Sequence, residues 1–525
     1  GDIFISGNIS ATVTNTSGSG YYDYGASASV SLFNNTGSYY TYDPVAGYTY
    51  HNFYGGSIST GAITVTAIGY PQPDPENYGT TSANAELDIR ANQDFTTRGN
   101  SITVIADGAD SNASHIEIDT DNGGGDILLG NVTLGRNGDL SLEARTDEDD
   151  SDGIVNVGHI STGTLSTYGE GDQFNDLNLY SSGTLTTPHD SFTANNISIE
   201  VGQGDVRLNA LTALEGGVGV YARGGNLILG DVSSNNDSNA QYYYNYAYID
   251  LSALGSVTTG SLTVTNTDSV GYYSPYATLS VYANDIEDSP GLGGDITING
   301  AVTVSASGTA DSEYIQADAY FGNASIGYSF DESTGDFLGY YGSGGNIRIN
   351  GPVNISAIAS GAQSSAATSL VLNASNSFYD AQDQFTGTGG AVTTGAITLT
   401  STATAHDPVN CATCTSTATG YVDISAEGDI RIQNEGGVAD ITVSTSGGDA
   451  NGNSGVYNDS SIVLGTYNGG DIIGGNLIAQ PGGTIELYAA SDRDTETDLG
   501  NITLLSAQGG PEALRSLIIN ATGDV

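Results

Sequence analysis

The chain has 525 residues, 74 of them glycine, and a formal net charge of −50. All ten basic residues are arginine against 60 acidic residues, so the chain offers no basic surface for nucleic acid or an anionic membrane, and we expect neither partner. No run of about 18 apolar residues occurs, which argues against membrane insertion.

The length is several times that of one compact domain, so the chain must be multi-domain or built from repeats. Hydrophobic residues make up 38% of it and stand in short alternating runs, which favours ordered strands over disorder. No Met occurs, even at position 1, which predicts a processed chain or a piece of a longer one.

One pattern recurs along the chain: Gly-x-Ile/Val-x, one or two residues, then Gly-x-Ile/Val/Leu-x-Val/Leu. In chain order its copies are GGSISTGAITVTA from Gly55, GGDILLGNVTL from Gly124, GHISTGTLS from Gly158, GGNLILGDVS from Gly224, GSVTTGSLTV from Gly255, GGDITINGAVTVSA from Gly293, GGNIRINGPVNISA from Gly344, GGAVTTGAITLTS from Gly389 and GGDIIGGNLIAQ from Gly469.

A second pattern, x-Leu/Ile-x-Leu/Ile/Val-x-Ala, lies between or directly before these copies. It reads AELDIRA at Ala85, DLSLEA at Asp139, YIDLSA at Tyr248, TLSVYA at Thr278, SLVLNA at Ser369, YVDISA at Tyr421, TIELYA at Thr484 and SLIINA at Ser516. Alternation with period two predicts half-buried strands, two or three to each unit.

Glycine between consecutive strands predicts sharp corners, and no stretch suits a crossover helix. Asn299-Gly300 could instead join 295–298 and 301–304 as a two-residue hairpin, which is the structural rival. We favour an all-β, parallel (right-handed) β-helix solenoid, because its stacked apolar residues would form one continuous core.

The predicted core residues point inward and stack from coil to coil. They are Leu279, Val281, Ile296, Ile298, Val302, Val304, Ile347, Ile349, Val353, Ile355, Leu370 and Leu372.

The spacing between copies is irregular, and insertions that leave the core would explain it. We predict a single elongated β-helix over 1–525, with lateral loops at about 15–54, 232–248, 307–343 and 402–420. Three insertions are rich in tyrosine, which packs against the solenoid flank or forms a binding surface for glycans or partner subunits.

The motif LxLxA followed by GDI or GNI resembles the repeat region of filamentous-haemagglutinin-like exoproteins, adhesins exported by two-partner secretion. SLIINATGDV from Ser516, YVDISAEGDIRI from Tyr421 and GVGVYARGGNLIL from Gly217 carry the likeness most closely. The resemblance implies a parallel β-helix and a secreted or cell-surface adhesive function.

An alternative function is a polysaccharide-processing β-helix enzyme, a lyase or hydrolase. It would need convergent carboxylates or a carboxylate with a basic partner. The ten arginines are scattered and the histidines form no motif, so we predict no catalytic residue and no enzyme. The histidines are His51, His115, His159, His189 and His406.

Calcium is the one cofactor candidate, and no metal site is firm. Its weak ligand candidates are the acidic residues Asp119, Asp121, Asp126, Asp147, Asp149 and Asp152, which offer hard oxygen ligands but lack an EF-hand pattern. The rival interpretation is a solvated acidic loop. Cys411 and Cys414 form an isolated CATC, for which we predict a loop disulfide in an oxidising compartment.

Asn-x-Ser/Thr sequences mark acceptors for N-glycosylation in an exported chain. They occur at Asn8, Asn15, Asn34, Asn112, Asn131, Asn196, Asn236, Asn323, Asn354, Asn373, Asn458, Asn501 and Asn520.

Both ends of the sequence read as parts of the repeat, GDIFISGNIS at Gly1 and SLIINATGDV at Ser516. A solenoid without caps exposes unpaired strand edges, so we expect the chain to stack on itself as a head-to-tail homopolymer or filament. The sequence thus predicts a secreted structural or adhesive protein whose partners are itself and glycans or other cell surfaces.

Overall fold

The computed structural model describes 26 segments of the chain. They are residues 1–15, 25–34, 37–43, 47–53, 55–69, 82–108, 111–120, 125–135, 138–145, 157–168, 174–188, 191–237, 246–268, 274–283, 294–308, 314–323, 327–330, 337–341, 345–361, 363–374, 389–405, 415–434, 436–449, 455–467, 469–489 and 500–525. The chain divides into two compact units, Gly1–Asp205 and Val206–Val525.

Unit 1 is built from parallel strands, apart from one hairpin. Its strands are β1 (Ile3–Phe4), β2 (Ile9–Thr14), β3 (Ala26–Asn34), β4 (Gly37–Asp43), β5 (Gly47–Phe53), β6 (Ile58–Ser59), β7 (Ile63–Ile68), β8 (Ser82–Ala91), β9 (Phe95–Thr96), β10 (Ile102–Asp107), β11 (Ser111–Thr120), β12 (Ile127–Leu128), β13 (Val132–Leu134), β14 (Gly138–Ala144), β15 (Ile160–Ser161), β16 (Leu165–Thr167), β17 (Phe174–Ser181), β18 (Leu185–Thr186) and β19 (Ser191–Val201).

These strands form three sheets, which we call the first, second and third sheet of the unit. The first has the order β1-β6-β9-β12-β15-β18, the second β2-β7-β10-β13-β16 and the third β3-β8-β11-β14-β17-β19. In five of the six coils the chain passes through the first, second and third sheets in turn, and the last coil has only β18 and β19.

Unit 2 repeats this plan. Its strands are β20 (Val206–Arg207), β21 (Ala210–Ala213), β22 (Gly217–Ala222), β23 (Leu227–Ile228), β24 (Val232–Asn236), β25 (Tyr246–Ala253), β26 (Val257–Thr259), β27 (Leu262–Asp268), β28 (Tyr276–Ala283), β29 (Ile296–Ile298), β30 (Val302–Gly308), β31 (Ile315–Gly322), β32 (Gly327–Phe330), β33 (Phe337–Tyr341), β34 (Ile347–Ile349), β35 (Val353–Gly361), β36 (Gln363–Ala374), β37 (Val392–Thr394), β38 (Ile397–Ala405), β39 (Thr415–Ala426), β40 (Ile430–Asn434), β41 (Gly437–Val438), β42 (Ile441–Asp449), β43 (Gly455–Thr466), β44 (Ile472–Ile473), β45 (Asn476–Gln480), β46 (Thr484–Ala489), β47 (Ile502–Thr503), β48 (Ser506–Gln508) and β49 (Ser516–Ala521).

The first sheet of unit 2 follows the path β20-β23-β26-β29-β34-β37-β40-β44-β47, which gives nine coils. The second sheet runs β21-β24-β27-β30-β35-β38-β42-β45-β48 and the third β22-β25-β28-β31-β36-β39-β43-β46-β49. Each unit is therefore a parallel β-helix, as the sequence predicts.

The hairpin rival at Asn299-Gly300 is wrong. β29 and β30 do not pair with each other: β29 pairs in parallel with β26 and β34, and β30 with β27 and β35. The Asn299 N–H donates to the Thr259 carbonyl at 2.9 Å, in the preceding coil. Asn-Gly here makes a solenoid corner, because a hydrogen bond to a neighbouring coil replaces the hairpin bond.

The predicted core is confirmed, since all twelve residues are at most 1% exposed. They stack in register: Ile296 lies beside Ile347, and Val304 beside Ile355. Neighbouring strands of a sheet are about 4.8 Å apart, so each buried side chain packs on its equivalents above and below.

Glycine stacks form at the corner before the first-sheet strands of unit 2. A Cβ added at Gly390 would collide with the carbonyl oxygen and carbon of Gly345 in the preceding coil. Coils can approach at this corner only because the side chain is absent, which explains the glycine at Gly294, Gly345 and Gly470, where an added Cβ would likewise meet a carbonyl oxygen of the preceding coil.

The predicted insertions are too wide. Within 15–54, β3 pairs with β8 in the third sheet, and within 307–343, β31 pairs with β28 and β36. The ranges 232–248 and 402–420 likewise begin and end in coil strands. The strands in these ranges alternate small residues with serine, threonine or tyrosine. A high content of tyrosine or serine does not by itself reveal that alternation.

Two of these segments also contain antiparallel hairpins, β4–β5 and β32–β33. The part of the chain that the structure describes has no helix long and apolar enough to cross a membrane.

Candidate functional site

The aspartates and asparagines of the repeats link one coil to the next. The Asp295 Oδ1 accepts the Asn346 N–H at 2.7 Å, and the Asn346 Oδ1 accepts the Ala391 N–H at 3.0 Å. In unit 1 the Asp126 Oδ1 accepts the His159 N–H at 2.9 Å. Each side chain thus satisfies a backbone donor that the corner leaves unpaired.

We call these corner Asp and Asn side chains, together with the backbone N–H groups that donate to them, the corner ladder. It includes Asp471, whose Oδ1 accepts hydrogen bonds from both the backbone N–H and the Nδ2 of Asn501 at 2.9 Å. Asp471→Ala should lower the free energy of unfolding by about 1–2 kcal/mol, because a part-buried donor loses its acceptor. Asp471→Asn keeps an acceptor oxygen and should stay within about 0.5 kcal/mol of the parent protein. Urea unfolding followed by far-UV circular dichroism measures both, and equal losses would contradict the ladder.

The outward side of the third sheet in unit 1 carries ion pairs. Arg90 lies 3.3 Å from Asp88 and 3.4 Å from Glu117. Arg145 pairs with Glu143 and lies 3.8 Å from Asp119. The register of β8, β11 and β14 brings these residues together, which sequence spacing did not show.

His115 lies on the same face between two acids. Its Nδ1 is 3.9 Å from Asp139 and its Nε2 is 3.8 Å from Glu117. The Asp139 carboxylate raises the pKa of His115 above its ordinary 6.5, with Glu117 and Glu86 adding to the effect. His115, then Asn175 and the Asp176 N–H, lower the pKa of Asp139 below its ordinary 3.8.

These opposite shifts predict a pH window for the pair. The His115 contribution is complete below pH 6.5 and is lost as the pH rises through the raised pKa. The Asp139 contribution is complete above pH 3.8 and is lost as the pH falls through the lowered pKa. A double-mutant cycle with His115→Gln and Asp139→Asn should give up to about 0.5 kcal/mol of coupling at pH 5, since both groups are partly exposed. Equal coupling at pH 5 and pH 9 would contradict the assignment.

The calcium candidates divide between the described residues and the rest. Asp126 serves the corner ladder and Asp119 lies beside Arg145, so two of the candidates have structural roles. Asp121, Asp147, Asp149 and Asp152 lie outside the described residues, as do Cys411 and Cys414. Within the described segments, no three His, Cys, Asp or Glu side chains are grouped to hold a metal ion.

The outward side of the third sheet in unit 2 differs: it presents tyrosines beside carboxylates. We call it the tyrosine–carboxylate face and define it by Tyr221, Tyr246, Tyr248, Asp250, Tyr276, Tyr282, Asp318, Tyr320, Tyr421, Asp423, Tyr457, Asp459, Glu486 and Tyr488. Their strands alternate with period two, so leucine, valine and alanine point inward while these residues point out.

Four tyrosine hydroxyls of this face each donate a hydrogen bond to a carboxylate of the same face. Tyr221 donates to Asp250 at 2.8 Å and Tyr421 to Asp423 at 2.9 Å. Tyr457 reaches Asp459 at 3.4 Å, and Tyr488 reaches Glu486 at 2.8 Å. Burial first, and then the bond to Asp423, raise the pKa of Tyr421 to about 12. The phenol therefore keeps its proton at neutral pH and orients the carboxylate.

Other tyrosine rings contact each other between neighbouring coils, one pair stacked and one pair tilted. The rings of Tyr246 and Tyr276 are 5.1 Å apart at 18°, and those of Tyr282 and Tyr320 are 5.2 Å apart at 35°. Register pairing of β25 with β28, and of β28 with β31, sets these distances. Flat rings beside fixed acceptors suit a ligand with both apolar surface and hydroxyl groups.

The sequence pointed to tyrosine but placed it in loops. Tyr246 and Tyr248 belong to the strand β25, not to a lateral insertion. The pairs Tyr421-x-Asp423, Tyr457-x-Asp459 and Glu486-x-Tyr488 were missed as a site. Their signal was present, because residues two apart in a strand share a face.

The glycosylation acceptors fall into two groups. Most have at least partly exposed side chains, and the most exposed are Asn8, Asn131, Asn196, Asn354 and Asn520. Asn236 and Asn323 are buried, and their Nδ2 groups donate to the carbonyls of Tyr246 and Asn346. The expectation is corrected for these two, because a glycan on either nitrogen would not fit the folded coil.

Comparison with protein-family models, with curated proteins and with solved structures gave no match.

Proposed function

We propose that this protein is an extracellular structural or adhesive β-helix whose tyrosine–carboxylate face binds carbohydrate on other surfaces. The observation that carries the proposal is the set of tyrosine hydroxyls bonded to carboxylates on one sheet face, Tyr221–Asp250, Tyr421–Asp423 and Tyr488–Glu486. The stacked coils repeat this pairing along the sheet.

The chemistry of the face favours sugars over other ligands. Tyrosine rings provide apolar surface at small entropic cost, and a carboxylate accepts hydrogen bonds from hydroxyl groups. Tyr457 is 54% exposed and Tyr248 39%, so their rings are open to contact. The net charge of −50 disfavours acidic ligands, which leaves neutral glycans as the best match.

Binding of the purified full chain to an array of neutral and acidic glycans tests the proposal. The variant has Tyr246, Tyr248, Tyr421, Tyr457 and Tyr488 replaced by Ser. We expect it to lose at least tenfold in glycan affinity, because the apolar platform is gone. The matched control has Thr263, Thr265, Thr303, Thr398 and Thr400 replaced by Ser; these residues face outward on the second sheet. The control should bind like the parent protein, and equal losses in both variants would contradict the proposal.

Assembly into filaments stays a prediction and is part of the proposal. Leu517 and Ile519 continue the inward ladders of Ile485 and Leu487, yet they are 47% and 42% exposed. A further coil on β49, whether from a second copy or from more of the same chain, would cover them and pair the strand edge. Electron microscopy should show end-to-end fibres, whereas monomers at all concentrations would contradict this part.

A polysaccharide-processing enzyme is the second candidate, favoured by one observation. Arg90 lies within 3.4 Å of both Asp88 and Glu117 on the third sheet of unit 1. Incubation with neutral and acidic polysaccharides, followed by assays for new reducing or unsaturated ends, distinguishes the two functions. New ends that disappear in the Glu117→Gln variant would favour the enzyme.

A further inference from the structure

We propose that Tyr221, Arg223, Tyr248 and Asp250 form a binding site for one neutral hexopyranose unit of a glycan. The inference rests on the proposed function and gives that function a site and a ligand class. Tyr221 belongs to β22 and Arg223 directly follows that strand, while Tyr248 and Asp250 belong to β25. The two strands are neighbours in the third sheet of unit 2.

Two outward-facing glycines, Gly217 and Gly219, lie beneath the aromatic rings of this site. A Cβ at Gly217 would collide with Cδ1, Cε1 and Cζ of Tyr248, so the Tyr248 ring occupies the volume of the missing side chain. A Cβ at Gly219 would lie 3.2 Å from the Tyr221 Cε2. Both rings therefore lie low against the backbone of β22, and Tyr248 keeps 39% of its surface exposed.

The polar groups of the site lie beside the Tyr221 and Tyr248 rings. The Tyr221 hydroxyl donates to the Asp250 Oδ2 at 2.8 Å, which orients the carboxylate. Burial, followed by the bond to Asp250, raises the pKa of Tyr221, so the phenol remains a donor. The Arg223 guanidinium lies 4.9 Å from the centroid of the Tyr221 ring and is exposed.

These groups match the parts of a sugar ring. The C–H face of a pyranose packs on an aromatic ring, while its hydroxyls can donate to Asp250 and accept from Arg223. Tyr248 and Asp250 are alternate residues of one strand, so the site measures roughly 7 Å along the strand and 5 Å across to β22. That is the extent of a single sugar ring.

Charge selects a neutral sugar. Arg223 and Asp250 offset each other, and the chain as a whole has a net charge of −50. The negative field of the whole chain disfavours the approach of a uronic acid. The cation of Arg223 beside Tyr221 therefore serves as a hydrogen-bond donor rather than as an anion receptor.

Isothermal titration calorimetry on the full chain tests the site with the methyl β-glycosides of glucose and galactose, methyl α-mannoside and galacturonate. We expect at least one neutral glycoside to bind and galacturonate to bind more weakly. Tyr248→Ala and Asp250→Asn should each weaken the neutral glycoside at least tenfold. Gly217→Ala should do the same, because it displaces the ring without removing it.

Two variants are controls. Tyr248→Phe keeps the ring and should stay within threefold of the parent affinity. Thr303→Ala shortens an outward side chain of the second sheet, outside the tyrosine–carboxylate face, and should stay within twofold. Circular dichroism of every variant verifies that the coils remain folded.

The outcomes separate this site from the proposed function. If Tyr248→Ala binds the neutral glycosides as the parent protein does, while the five-tyrosine variant loses glycan binding, this site is rejected and the adhesive face is retained. Tighter binding of galacturonate than of any neutral glycoside also rejects it. If the parent protein binds no glycan at all, both proposals fall.

Discussion

Replacing Ile298 by Asp should destabilise unit 2 by roughly 3–5 kcal/mol, because it leaves an unpaired charge in the core. Ile298 is fully buried and lies in register between Thr259 and Ile349 of the neighbouring coils. None of these neighbours carries a positive charge that could compensate the new carboxylate. The midpoint of urea unfolding, followed by far-UV circular dichroism, measures the loss.

The matched control is Thr297→Asp, one residue earlier on the same strand. Thr297 points outward beside Arg348, so its replacement should change the free energy of unfolding by less than about 1 kcal/mol. Similar losses at both positions would show that Ile298 does not face a sealed core, and the assignment of inward and outward positions would be wrong.

Gly390→Ala should cost about 3 kcal/mol, the upper part of the usual range for overpacking. The added methyl group would collide with the carbonyl oxygen and carbon of Gly345. Backbone atoms cannot move aside as a flexible side chain can, so the two coils would have to separate at this corner.

Gly448→Ala is the control for this second prediction. Nothing lies within 4 Å of the Cβ position at Gly448, and its backbone does not require glycine. The same chemical change should therefore be neutral or stabilising by up to about 1 kcal/mol, through the lower entropy of the unfolded chain. An equal loss at Gly390 and Gly448 would mean that glycine contributes through the unfolded state alone.

The period-two alternation was enough to predict the fold class and the core. Val302 and Val304 share a face in any extended strand, and glycine between short strands predicts corners. Asn299-Gly300 could not be decided locally, because a hairpin and a solenoid corner use the same turn residues. The choice depends on bonds to other coils, such as that from Asn299 to Thr259, which a local pattern does not contain.

The candidate site was harder to predict than the core. The packing of the Tyr248 ring on Gly217 depends on the strand register that pairs these two residues, which are 31 positions apart in the sequence. Insertions of variable length separate such partners, so spacing alone does not align them. The tyrosine–carboxylate pairs within one strand, such as Tyr421 and Asp423, needed no register and could have been found by reading alternate residues.

The corner ladder has a consequence for how such a chain can change in length. Its donors are backbone N–H groups, which every residue except proline provides. Its acceptor can be the side-chain oxygen of an aspartate, as at Asp295, or of an asparagine, as at Asn346. The junction between two coils therefore depends little on which coils they are. Deletion or tandem duplication of one complete coil would recreate the same bond at the new junction, so the number of coils can evolve by whole units.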